Sequence, residues 1–227
     1  MKRFLVTATL SLALAACASG PSRPRYGPPL KPVANPSEVI AAELAFARLA
    51  QEKGQWAAFR ATAAEGAEMF VPQRVKAVDW LKGRADPAVA VTWQPYAVWS
   101  SCDGSYAVTR GGWQSPNASG TFATIWQRQK NGALKWIADM SLTSDGAVAA
   151  PEMIAARVAE CKVRPAQASL VAVADSDWQT GTSADSTLQW GTGVGRLGGR
   201  TVRVSLWNGT SFETVLDQTV PDPVVVR

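Results

Sequence analysis

The sequence predicts an α+β fold. Three segments with helical spacing come first and four segments with strand alternation follow, the last two joined at Lys130-Asn131-Gly132, where Asn-Gly marks a tight hairpin. Helical and extended segments are grouped rather than alternating, which argues against a doubly wound parallel sheet. Helices with a single apolar face can bury it only against the sheet that follows.

The first helix is read from "NPSEVIAAELAFARLAQEKG". Asn35 is placed to cap, Pro36 fits the first helical position, Glu38 can reach back to the cap, and Gly54 ends the segment. Val39, Ala42, Phe46, Leu49 and Ala50 give it one apolar face. Trp56, Phe59 and Ala63 continue the spacing in a second helix stopped by Gly66. Val75, Val78 and Leu81 mark a third, closing at Gly83.

Strands begin in "AVAVTWQPYAVWS", where Pro95 demands a bulge or an edge position. "SYAVTRGGWQ", "GTFATIWQRQ" and "ALKWIADMS" follow. "APEMIAARVAECKVRP" is open between helix and connector. Beyond it "ASLVAVAD", "STLQWGTGVG", "RTVRVSLW" and "SFETVLDQ" predict a second β-rich unit, placed as an appendage packed on the first body. Gly193-Val194-Gly195-Arg196-Leu197-Gly198 spells a dinucleotide-binding pattern, but a strand follows it where a phosphate cradle needs a helix N-terminus, so it reads as a hairpin loop.

Composition removes several function classes. The chain has no histidine, which excludes Ser-His-Asp and Cys-His catalysis, histidine metal sites and an imidazole switch. Three cysteines are too few for a cysteine zinc cluster once one is otherwise used. No metal or cofactor is expected. The net charge of +5 falls to +3 without Lys2 and Arg3, short of the concentrated positive charge of a nucleic-acid binder.

The N-terminus carries an address. Lys2 and Arg3 precede thirteen largely apolar residues, Phe4 to Ala16, and then Cys17. That is the layout of a secretory signal peptide, and the run is too short to span a bilayer. Leu14-Ala15-Ala16-Cys17 resembles the lipobox of bacterial lipoproteins, which implies cleavage after residue 16 and lipidation of Cys17, a palmitate-bearing membrane anchor. Ala18-Ser19, in place of a retention aspartate, points that anchor to the periplasmic leaflet of the outer membrane. Residues 17–35 then form a proline-rich tether, with Arg23, Arg25 and Lys31 solvated along it. In that oxidising compartment Cys102 and Cys161 are expected to pair.

Within residues 36–145, "ELAF", a "KG" turn, "MFVP" and "WLKG" precede "GSYAVTRGGW … GTFATIWQRQKNGALKWIADMS". This order resembles the nuclear-transport-factor-2-like superfamily, close to its SnoaL-like branches of unknown function, over residues 37 to 141. The resemblance implies a cone-shaped fold, three N-terminal helices capping a curved antiparallel sheet around a cavity, with residues 146–227 as a C-terminal β-rich extension. Steroid isomerases and polyketide cyclases of that superfamily place an acid in the cone. Asp139 is the candidate general base, with Tyr106 and Arg110 as hydrogen-bond partners, although no histidine or second acid of the strand region accompanies it. Trp93, Trp99, Trp113 and Trp126 are candidate cavity walls whose indole N–H groups could orient a ligand. The expectation is an envelope lipoprotein that binds a small apolar ligand or an envelope partner. An isomerase- or cyclase-like enzyme is the alternative, and a homodimer through the open sheet face is the superfamily's habit.

Overall fold

A computed structural model describes residues 34–143, 149–163, 165, 170 and 176–221, and places them within one compact unit. The signal peptide, Cys17, nearly all of the tether and the run "ASLVAVAD", apart from Leu170, lie outside the described residues.

The first helix forms as its punctuation dictates. α1 (Pro36–Lys53) starts at Asn35, whose side chain accepts from the Ser37 amide and donates to Glu38, and it ends at Gly54 with φ 103°. α2 (Gln55–Thr62) has no cap of its own. Its first amides are met by Asp86 Oδ1, thirty residues away, which accepts from Trp56 N and Ala57 N.

From there the expected fold is corrected. The structure is mostly β, with 48% of the described residues in strands and 18% in helices, arranged as two sheets of seven and four strands rather than as three N-terminal helices on one sheet. The second helix does not run to Gly66. Strand β1 (Ala63–Phe70) begins at Ala63, and Gly66, with φ 77°, sits where its register against the neighbouring strand shifts. Val75 belongs to strand β2 (Arg74–Lys76), and the third helix, α3 (Ala77–Leu81), is little more than a turn.

The large sheet is also mixed, not antiparallel. Strands β3 (Thr92–Ser100), β4 (Tyr106–Gln114), β5 (Ser119–Arg128) and β6 (Leu134–Thr143) form the expected antiparallel meander. β1 adds parallel to β6, and β7 (Ala155–Val158) adds parallel to β3, giving the order β2-β1-β6-β5-β4-β3-β7. The extension therefore contributes one strand to the first sheet. Its remaining strands, β8 (Gln179–Thr182), β9 (Leu188–Val194), β10 (Arg200–Trp207) and β11 (Phe212–Val220), make a separate antiparallel sheet. The glycine-rich segment 193–198 runs from the last two residues of β9 into the β9–β10 loop, which is closed by Gly195 N donating to Gly199 O.

Two apolar cores flank the large sheet. On one face Val39, Phe46, Phe59 and Leu81 of the helices pack on Met69, Val98, Trp126 and Trp136. On the other, Val108, Ile125, Met140 and Leu142 meet Leu188, Val202, Val204 and Leu206 of the small sheet. Each such side chain contributes about 1.5–3 kcal/mol on burial, so both attachments are strong.

Two turns lock the sheets together. Residues 101–105 and 183–187 share the pattern Ser-x-Asp-x-Ser/Thr and the same internal bonds. Ser101 Oγ donates to Asp103 Oδ1 and Ser183 Oγ to Asp185 Oδ1, both at 2.7 Å, while Gly104 and Ser186 hold φ 66° and 65°. The turns then bond reciprocally. Asp103 N donates to Asp185 Oδ2 at 2.8 Å and Asp185 N donates to Asp103 Oδ2 at 3.0 Å. Cys102, inside the first turn, forms the expected disulfide with Cys161.

Candidate functional site

Asp139 reaches the helix side of the sheet because of a bulge. On strict alternation it would share a face with Ile137. The β5–β6 register instead shifts so that Ile125 opposes Ala138 and Trp126 opposes Trp136, leaving Ile137 as the extra residue. Trp136 and Asp139 consequently both face the helices, while Ile137 packs toward the small sheet. Thr124 lies directly opposite Asp139 on β5, and its Oγ1 donates to Asp139 Oδ2 at 2.8 Å.

Beside this carboxyl is a cavity of about 230 Å³. α2 supplies Gln55, Trp56 and Phe59 to it, the end of β1 supplies Met69 and Phe70, and the sheet supplies Trp93, Trp113, Phe122 and Ser141. Val71, 36% exposed, carries the lining to the surface. The walls are apolar and largely aromatic, with Asp139 the acid among them. Asp139 keeps some accessible surface because the cavity opens onto it, but protein surrounds the carboxyl. Burial pushes it up to about 7, against the Thr124 hydroxyl, which lowers it, and with help from the negative field of Glu43.

Glu43 is the acid that the sequence reading left out. It sits on α1, wholly buried. Its Oε1 accepts from Trp93 Nε1 at 2.8 Å, and its Oε2 accepts from Thr109 Oγ1 at 2.6 Å and Trp126 Nε1 at 3.0 Å. Burial raises its pKa, and the three donors oppose that shift. A sequence signal existed: Glu43 falls in register with Val39, Phe46 and Ala50, an acid set into an apolar stripe.

The candidate residues separate by face. Trp93 and Trp113 line the cavity with Asp139. Trp126 lies deeper in the same core, bonded to Glu43. Trp99 is on the opposite face, because the register shift between Pro95 and Ala97 reverses the alternation of β3. Tyr106 also packs toward the small sheet, its hydroxyl accepting from Gln127, and Arg110 donates to Gln218 of β11. Tyr106 and Arg110 thus do not meet Asp139. The indole N–H groups are also committed: Trp93 to Glu43, and Trp113 to the carbonyl of Thr121 at 3.0 Å. What these two rings leave for a ligand is their carbon and π surface.

No protein family matches this chain, and no curated protein matches it in sequence. Among the described residues no three histidine, cysteine, aspartate or glutamate side chains gather as metal ligands, and no helix is long and apolar enough to cross a membrane.

Proposed function

We propose that this chain is an envelope lipoprotein, held through Cys17, that binds a small molecule in the cavity beside Asp139. The ligand is apolar over most of its surface and carries one polar group that meets the carboxyl. The observation that carries this reading is a single acid set in a mostly apolar, aromatic-walled cavity with Gln55 and Ser141 as its other polar side chains, the pattern of a site that orients a ligand by a few polar contacts. A volume below the roughly 300–1,000 Å³ of drug-sized sites limits the ligand to a compact molecule. The resemblance of the motif order to nuclear-transport-factor-2-like proteins is in keeping with the same reading. Native mass spectrometry of gently purified protein, with thermal shifts against a panel of compact neutral and charged molecules, tests it. A co-purifying species or a shift that Asp139→Asn abolishes is expected; no species and no shift from any member would overturn it.

A proton-transfer enzyme is the second reading, favoured by the position of the Asp139 pKa near neutrality. A carboxylate at about 7 is matched to abstracting a proton from a carbon acid at physiological pH. Turnover of any substrate found by the panel should then fall by at least about 100-fold in Asp139→Asn, and unchanged turnover would exclude Asp139 as the base.

A further inference from the structure

The cavity holds negative charge with nothing positive to answer it. Asp139 lines it, and Glu43 lies behind Trp93, close enough for its field to act on Asp139. Among the described residues every ion pair goes elsewhere: Arg60 to Asp86, Arg74 and Lys76 to Glu68, Arg74 also to Asp177, Arg128 to Glu38, Arg157 to Glu213, and Arg203 to Asp217. Neither buried acid has a lysine or arginine partner. Buried charges are ordinarily paired, and the desolvation cost of an unpaired carboxylate is what an incoming cation relieves.

The walls point the same way. Trp93 and Trp113 spend their indole N–H groups on Glu43 and on the Thr121 carbonyl, so they cannot donate to a ligand anion or carbonyl. Their π surfaces, with those of Phe59, Trp56 and Phe122, carry the negative face of the ring quadrupole, which attracts cations. Aromatic rings around one carboxylate form a receptor for positive charge with apolar substituents. A neutral hydrogen-bond donor would relieve the Asp139 charge only in part, whereas a cation answers it directly.

We propose that the cavity is a receptor for a small organic cation, an ammonium whose apolar substituents lie among Trp93, Trp113, Phe59 and Phe122 and whose charged nitrogen sits against the Asp139 carboxylate. This assignment rests on the cavity being a ligand site. It also fixes a pH dependence, because the cation binds the ionised acid. The groups around Asp139 are Glu43 from α1, which titrates, and Thr124 of β5, Met69 of β1 and Gln55, Trp56 and Phe59 of α2, which do not. Glu68, next to Met69 on β1, is already held by Arg74 and Lys76. Affinity for a permanently charged ligand therefore falls as pH drops below about 7, by up to tenfold per unit.

The test is calorimetry on the full chain with two isosteric pairs, choline against 3,3-dimethylbutan-1-ol and benzylammonium against benzyl alcohol, at pH 8 and pH 5.5. We expect the cation of each pair to bind at least about tenfold tighter than its neutral partner at pH 8, a difference of about 1.4 kcal/mol. That preference should shrink at pH 5.5 and vanish in Asp139→Asn. Alcohols binding as well as the cations would overturn the ammonium assignment while leaving the ligand-site reading intact. Failure of all four at millimolar concentration would also overturn it, and the broader panel then decides the ligand-site reading separately. Should Asp139→Asn fail to fold, the isostere comparison and the pH profile of the unaltered protein still decide the matter.

Discussion

Asp139 taxes the fold whenever it is charged. Its pKa lies above the ordinary aspartate value in the folded chain, so the folded state holds the proton more tightly than the unfolded state does. Stability from this group is therefore greatest below about pH 4, declines as pH rises towards about 7, and is flat above that. Asparagine has the same shape, can still accept from Thr124, and carries no such loss. Relative to the unaltered chain, Asp139→Asn should gain about 2–4 kcal/mol between pH 4 and pH 8, read from urea denaturation at both values; a constant difference would refute a buried, proton-holding Asp139. Asp139 was legible in the sequence as an acid on the last strand of the meander. Its orientation was not, because one extra residue at Ile137 reverses the parity on which alternation depends. Glu43 was hidden for another reason: a helix stripe is read by its apolar members, and an acid within it passes as surface until its three donors are seen converging from β3, β4 and β5.

At the scale of elements, local chemistry was a good guide where the local chain decides and a poor one where pairing does. α1 carries its own cap and stop, and it forms as read. "AAEGAEMF" is rich in helix formers, yet it is a strand, since β6 on one side and β2 on the other bond its backbone. The Asn131-Gly132 hairpin is present, but Gly132 alone of its loop holds positive φ, so the connection is a three-residue loop rather than the two-residue turn that the dipeptide favours. The paired turns at 101–105 and 183–187 were invisible as a pair, because each is an ordinary polar loop until the other faces it. Asp185 accepts from Asp103 N, Ser183 Oγ, Thr187 N and Thr187 Oγ1. Its replacement by alanine strands those donors at a partly buried junction and should cost about 2–4 kcal/mol. Hydrogen exchange should show faster opening of the small sheet. An unchanged denaturation midpoint would mean that the two cores alone hold the sheets together.

For the molecule as a whole, the sequence supplied the β-rich tail and the cysteine pair but not the layering. Nothing local announces that β7 crosses to the edge of the first sheet while β8–β11 build a second one on its far face, since both outcomes use the same alternating residues. The Cys102–Cys161 bond spans 59 residues and ties the sheet-locking turn to the chain just beyond β7. Loop-closure entropy puts its contribution at about 4 kcal/mol as an upper value. The double Cys102→Ser, Cys161→Ser protein should therefore lose about 2–4 kcal/mol, matched by reductant acting on the unaltered chain. A smaller loss on reduction than on substitution would indicate that serine itself disturbs the turn.

The described chain is received at this same knot, where the Ala34 amide donates to the Cys102 carbonyl at 3.1 Å. Tension applied at Ala34 would meet that bond and then the Glu38–Arg128 ion pair that fastens the first turn of α1 to β5. The cystine withholds the contour between its two sulfurs, roughly 200 Å of extended backbone. β4 to β7 lie inside that covalent ring, and a molecule pulled taut would keep those strands within reach of one another, ready to reassemble when slack returns.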